Sequence, residues 1–320
     1  MKVVVTDYTF PSLDIETALL APLGCELIGR QCKTPSETAA AVADADCVVA
    51  QFAPIDASVV AAMQKARLIV RYGIGVDNID LPATRERGIP VCNVPDFCID
   101  EVADHTLAFV LAATRQVLTN CRAVCAGEWR LAVPIEQMRT LRDLTVGIVG
   151  CGRIGRAVVQ RLSPFGCRML GYDPVLSDAD ATALGIELRT LADLYAESDI
   201  ITLHCPATAA TRGMIDAAAI ARMKPGVILV NVARGALIDS AALLEGLRQS
   251  RISAVALDVF DPEPIPPGHP LLTLPNVILA AHIASASPKA VRRLRETVAQ
   301  TVACLVRGES LPNIVNGVAC

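Results

Sequence analysis

Apolar and polar positions along this 320-residue chain alternate between two kinds of run: short, almost wholly apolar stretches, and amphipathic stretches of helical spacing that separate them. In the first hundred residues the short runs at 3–6, 47–50, 68–71 and 90–93 predict strands. The runs at 14–21 and 57–65 predict helices, so a small α/β unit is expected. A longer helix is predicted over 100–115, where Asp100 and Glu101 supply the acids that a helix dipole favours in its first turn. Beyond it, strands at 145–149, 167–172, 199–203, 227–231, 254–258 and 277–280 alternate with helical segments, the signature of a parallel, doubly wound sheet. The last helix, 289–307, has no strand after it. It is expected to cross back and brace the N-terminal lobe.

The strand at 145–149 runs directly into Gly150-Cys151-Gly152-Arg153-Ile154-Gly155, a G-x-G-x-x-G turn that opens a helix. In such a turn the first glycine permits the sharp bend, the second lets backbone approach a pyrophosphate, and the third lets helix and strand pack closely. The helix N-terminus adds N–H groups and positive dipole. The helix closes at Pro164 and Gly166, and a second strand ends at Asp173, eighteen residues after Gly155. That is near the roughly 20-residue spacing at which an acid binds an adenosine ribose, and a carboxylate there repels a 2′-phosphate, so NAD is favoured over NADP. Asp173-Pro174 is also turn chemistry, and a plain cap for the next turn stays open. The expected fold is α/β, with two doubly wound, Rossmann-like parallel-sheet domains and a cleft between them. Residues 1–99 with 289–320 would form a discontinuous substrate-binding domain and 100–288 the NAD-binding domain.

Composition narrows the function. Hydrophobic residues make up 52% of the chain and charged ones 19%, as in a core-forming globular protein; aromatics are only 3%, so the core must be aliphatic. A net charge of −4 gives no electrostatic support for nucleic-acid binding, and Arg292, Arg293 and Arg295 alternate with apolar residues as a solvated helix face would. No signal-peptide pattern opens the chain, and no run approaches the roughly 18 apolar residues needed to cross a bilayer. A soluble, cytoplasmic protein with no membrane partner is expected. The twelve cysteines are scattered without a C-x-x-C pair. They read as reduced thiols that mostly pack as small hydrophobes, and no metal site is expected.

Three segments at predicted strand ends carry candidate chemistry: Asn231-Val232-Ala233-Arg234-Gly235, Asp258 through Glu263-Pro264, and Ala281-His282-Ile283. Strand carboxyl ends face the ligand crevice of an open parallel sheet, so Arg234, Glu263 and His282 are able to converge there. Taken singly they also fit a surface ion pair, a loop acid and a histidine at a helix start. Taken together beside a nicotinamide they make a reaction. His282 gives a proton to the developing alkoxide, an adjacent Glu263 raises the histidine pKa, and Arg234 holds a carboxylate in a planar two-pronged contact. Trp129 and Tyr172 read as packing residues.

Tyr72-Gly73-Ile74-Gly75-Val76-Asp77, Asn93-Val94-Pro95, the glycine turn, His204-Cys205-Pro206, Met223-Lys224-Pro225-Gly226 and the three segments above, in this order, resemble the D-isomer-specific 2-hydroxyacid dehydrogenase family over nearly the whole chain. The resemblance implies catalytic Arg234, Glu263 and His282. It also implies that Gly75 and Val76 offer backbone N–H groups to the substrate carboxylate alongside Arg234, and that Ile74, Cys205, Val232 and Asp258 line the cofactor. A homodimer is implied as well, with the helix from Asp100 and residues 127–142 as candidate surfaces. Val91 to Pro95 and Glu101 to Asp104 resemble the branch of the carboxy-terminal binding proteins, NAD-sensing corepressors, which brings a non-enzymatic alternative. The run His282-Ile283-Ala284 lacks that branch's aromatic, and the chain lacks its long tail, which favours an enzyme. Ile74 stands where many relatives have Ser or Thr, and Gln51-Phe52-Ala53-Pro54 offers no base to grip a phosphate. A small, uncharged or modestly apolar 2-oxo acid is therefore expected, rather than phosphoglycerate chemistry.

Overall fold

The computed structural model describes residues 1–319 and divides them into two compact units, Met1–Phe97 with the chain from Ser287 onward, and Cys98–Ala286. The sheet of the first unit contains β1 (Lys2–Val5), β2 (Glu26–Gly29), β3 (Cys47–Ala50), β4 (Leu68–Arg71) and β5 (Val91–Cys92). They lie in the order β2-β1-β3-β4-β5, and every pairing is parallel. The interior strands are apolar on both faces because helices cover both, and Val3, Val48, Leu68, Ile69 and Val70 are fully buried.

Several elements of this unit and the next escape the hydrophobic pattern. Strand β2 is a partly exposed edge with a polar first residue, and β8 (Glu187–Leu188) has two residues, so neither offers an apolar run to detect. Helix Pro35–Val42 had a visible start signal: Thr34 accepts from the Glu37 N–H while the Glu37 side chain returns to the Thr34 N–H, a capping box. Helix Leu81–Glu86 is likewise capped by Asp80.

The terminal helix Pro288–Arg307 packs within the first unit against helix Asp14–Leu20 and β4. One expectation fails here. Arg295 is not on a solvated face: it is only 6% exposed and lies on the helix's buried side with Val298, Ala299 and Val302. Spacings of three, four and seven residues along a helix share one face, and that periodicity outweighs the local alternation of charge.

The second unit adds β6 (Thr145–Val149), β7 (Arg168–Tyr172), β9 (Ile200–Leu203), β10 (Val227–Asn231), β11 (Ile252–Leu257) and β12 (Val277–Leu279) to β8. The seven strands are parallel, in the order β12-β11-β10-β9-β6-β7-β8. The chain reverses its direction of travel across the sheet at β6, which pairs with β7 on one side and β9 on the other. That is the switch point at which open α/β sheets bind ligands. An aliphatic cluster including Val149, Leu170, Leu194, Ile201, Leu229 and Val255 fills the core. No helix among the described residues is long and apolar enough to cross a membrane, and no cluster of potential metal ligands occurs among them.

Trp129 does not pack: it is 92% exposed, whereas Tyr172 is half-buried against the core cluster. Cys32, Cys47, Cys92, Cys98, Cys151 and Cys167 are buried as small hydrophobes, but Cys121 and Cys125 are exposed on helix Val117–Cys125.

Candidate active site

The glycine turn follows β6 and leads into helix Arg153–Leu162, whose N-terminus no side chain caps. Gly150 has φ +93°, and a Cβ there would lie 2.7 Å from the Cys205 backbone nitrogen; one on Gly155 would overlap the Gly150 carbonyl oxygen. Turn, helix and the end of β9 therefore touch backbone to backbone, which no larger residue permits. At Gly152, by contrast, a Cβ would meet nothing within 4 Å. The middle glycine borders open space. Asp173, at the end of β7, accepts from the Cys151 N–H at 2.8 Å and the Val175 N–H at 3.0 Å, so its carboxylate is fixed beside the turn. Cys205 is half-buried with its thiol 3.8 Å from the Met214 sulfur; burial pushes that thiol up to about 11, so the neutral form is favoured.

Beyond β10, β11 and β12 lie the three charged residues. His282 Nδ1 and Glu263 Oε2 are 2.8 Å apart, and Glu263 Oε1 accepts from the Phe260 N–H at 2.8 Å. Burial works to raise the Glu263 carboxyl. The bond from His282, the Phe260 N–H and the nearby charges of His282 and Arg234 outweigh it and hold the group below the ordinary carboxylate value. An ionised Glu263 accepts only, so Nδ1 carries the proton of that bond and Nε2 is the ring's other nitrogen.

His282 does not begin a helix. Its φ of +54° is left-handed, a conformation that costs a side-chain-bearing residue about 1–3 kcal/mol. Asp258 holds it there. The Asp258 carbonyl accepts from the His282 N–H at 2.8 Å, and its carboxylate accepts from Ile283 and Ala284 at 2.8 and 2.9 Å. The carboxylate of Asp258 is thus spent on the turn that aims the histidine. Arg234 is steadied in the same manner by a residue that sequence reasoning missed. Fully buried Asn231 accepts from the Ala233 N–H at 3.0 Å and donates to the Arg234 carbonyl at 2.8 Å. Its signal was a lone polar residue closing an apolar strand. Val232 is buried between them, and a Cβ on Gly235 would overlap the Phe260 carbonyl, so the loops bearing Arg234 and Glu263 meet only because residue 235 has no side chain.

In the first unit, loop 73–76 follows β4. The Val94 N–H donates to the Gly73 carbonyl at 3.0 Å and Asn93 Nδ2 to the Ile74 carbonyl at 2.6 Å. The N–H groups of Gly75 and Val76 have no recorded acceptor among the described residues. At the same strand edges the guanidinium of Arg71 lies 5.8 Å from the Phe52 ring, so residues 51–54 do have a cation beside them, one that their own sequence did not reveal.

Residues 107–284, more than half of the chain, match the model of the D-isomer specific 2-hydroxyacid dehydrogenase NAD-binding domain. The chain belongs to that family. It is 42% identical over 278 residues to a glyoxylate reductase of Korarchaeum cryptofilum, covering 86% of this chain and 84% of that protein. It is 39% identical over 300 residues to a D-3-phosphoglycerate dehydrogenase of Mycobacterium leprae, covering 93% of this chain but 56% of that protein. The chain thus spans about half the length of the phosphoglycerate dehydrogenases it matches. The solved structure of D-lactate dehydrogenase from Aquifex aeolicus, complexed with NAD and lactic acid, superposes with a TM-score of 0.89 at 27% identity, over 99% of this chain and 100% of that one.

As a member of the D-2-hydroxyacid dehydrogenases this chain is an NAD-dependent oxidoreductase. Its own residues fit that cofactor. The side-chain-free opening at Gly152, the uncapped helix N-terminus and the anchored Asp173 suit a pyrophosphate and a ribose diol without a 2′-phosphate.

Proposed function

We propose that this chain interconverts a small 2-oxo acid and its D-2-hydroxy acid, with His282 as acid and base, Glu263 tuning it and Arg234 binding the substrate. The observation that carries the reading is the 2.8 Å pairing of His282 with Glu263 at strand ends of the NAD-binding unit, within the electrostatic reach of Arg234. Bound NAD supplies or accepts the hydride at the substrate carbon. His282 Nε2 gives a proton to the carbonyl oxygen in reduction and removes it from the hydroxyl in oxidation, while Glu263 holds the ring's other nitrogen and stabilises its charged form. Arg234 presents parallel N–H groups that suit a carboxylate and polarise the adjoining carbonyl. On the first unit, Gly75 and Val76 offer their N–H groups to a carboxylate.

In the same reading, Gly150, Gly152, Arg153, Ile154 and Gly155 hold the pyrophosphate and Asp173 the ribose, while Ile74, Cys205, Val232 and Asp258 line the nicotinamide side. The test is NADH oxidation at 340 nm against glyoxylate, hydroxypyruvate, pyruvate, phenylpyruvate, 2-oxoisocaproate and, because of Arg71, 3-phosphohydroxypyruvate. Turnover of a small neutral 2-oxo acid is expected. Preference for the phosphorylated substrate overturns the substrate class, and tight NADH binding without turnover on any favours an NADH-sensing binding protein.

The protein works as a homodimer in this reading. Support comes from a run of exposed apolar side chains on and after helix Val117–Cys125: Val117, Val124, Trp129, Leu131 and Ile135, the last 66% exposed. Apolar surface this dense marks a contact face. The double substitution Trp129→Glu with Ile135→Glu is expected to convert dimer to monomer in sedimentation velocity, whereas a wild-type monomer at micromolar concentration rejects the proposal.

A further inference from the structure

The first unit contains a buried charged cluster that the proposed chemistry does not use. Arg295 Nε donates to Glu16 Oε1 at 3.0 Å and its Nη2 to Glu16 Oε2 at 2.6 Å, a forked contact that sets the plane of the carboxylate. The same Nη2 reaches the Ser12 carbonyl and Asp14 Oδ1, both at 2.8 Å, and the guanidinium lies 5.1 Å from the centre of the Phe10 ring. Glu16 Oε1 also accepts the Tyr72 hydroxyl at 2.8 Å, and the Phe10 ring meets the Tyr72 ring edge-on with centroids 5.2 Å apart. Glu16 and Tyr72 are each 1% exposed.

A buried ion pair is a poor device for stability alone, because desolvation offsets most of the attraction and apolar residues of similar size often serve as well. What it supplies is direction. Loop 73–76 contains two glycines and so has little bulk by which to hold itself; the last large side chain before it is Tyr72. One flank of the loop is held by Asn93 and Val94 through the carbonyls of Ile74 and Gly73. The other is held at Tyr72, whose backbone N–H bonds to Ala50 at 2.8 Å and whose hydroxyl ends on Glu16. Burial and the Glu16 charge push the Tyr72 phenol far above its ordinary value, so it remains a donor at any working pH.

We infer that Arg295, Glu16 and Tyr72 are positioning residues that aim the Gly75 and Val76 N–H groups at the substrate carboxylate, the terminal helix acting on substrate affinity through this chain of contacts. The inference rests on the reading of those two N–H groups as substrate donors.

The test is the affinity for oxamate, a 2-oxo acid analogue that accepts no hydride, measured by quenching of bound NADH fluorescence alongside steady-state kinetics. Tyr72→Phe keeps the ring and removes only the hydroxyl. It is expected to weaken oxamate binding and raise KM for the preferred 2-oxo acid by about fivefold or more, with kcat within about twofold and NADH affinity unchanged. Glu16→Gln should do the same, and adding Tyr72→Phe to it should add little, since both break one network. A lowered melting temperature with oxamate affinity and KM as in wild type makes the cluster merely structural and overturns the inference while the proposed function stands. Failure of the wild-type protein itself to bind oxamate or turn over any 2-oxo acid overturns the substrate reading, and the inference with it.

Discussion

His282→Ala is expected to lower kcat by about 10²- to 10⁴-fold, the range that general acid catalysis supplies, while NADH affinity changes less than about twofold. The separation follows from where the imidazole stands. Its Nδ1 is bonded to Glu263 and its backbone is fixed by Asp258, whereas Asp173 is held by the N–H groups of Cys151 and Val175. Removing the ring therefore leaves the dinucleotide residues in place and takes away the proton donor. Glu263→Gln should give a smaller loss, because an amide keeps a hydrogen-bond acceptor for Nδ1–H but no charge to stabilise the imidazolium. Single-turnover absorbance at 340 nm reads both variants. A His282→Ala enzyme that keeps more than about a tenth of the wild-type rate would assign the proton to another group.

Arg234→Ala is expected to raise KM steeply and lower kcat as well. Truncating one partner of a buried charge pair costs about 2–5 kcal/mol, which corresponds to roughly 30- to 5,000-fold in kcat/KM. Both parameters move because the guanidinium is proposed to bind the carboxylate in the ground state and to polarise the carbonyl in the transition state. Arg234→Lys should not rescue the loss, since an ammonium on a flexible stem does not reproduce a planar fork. Recovery by lysine to within about twofold, or an unchanged KM in Arg234→Ala, would show that a point charge suffices or that the carboxylate is held elsewhere.

Much of this arrangement was readable before any coordinate. Apolar runs such as 47–50, 68–71 and 227–231 coincide with β3, β4 and β10, because strands buried on both faces must be continuously apolar. The glycine turn was legible because each glycine answers a local need, and Arg234, Glu263 and His282 because each follows a strand whose carboxyl end faces one side of a parallel sheet. Edge strand β2 and two-residue β8 were not, since an edge need not be apolar and two residues have no period.

Local spacing along the chain was sufficient to imply two parallel α/β sheets, a dinucleotide turn and the identity of the charged groups, because strand and helix periodicities and glycine geometry are properties of neighbouring residues. Only the folded chain decided what each charge does. Asp258 spends its carboxylate on the turn at His282, Asn231 steadies Arg234, Arg71 comes beside Phe52, and Arg295 leaves the solvent to meet Glu16, 279 residues away in sequence. The physical reason is the same in each case. A hydrogen bond or ion pair depends on distance and direction between groups far apart in the chain, and those are set by packing, not by the residues on either side.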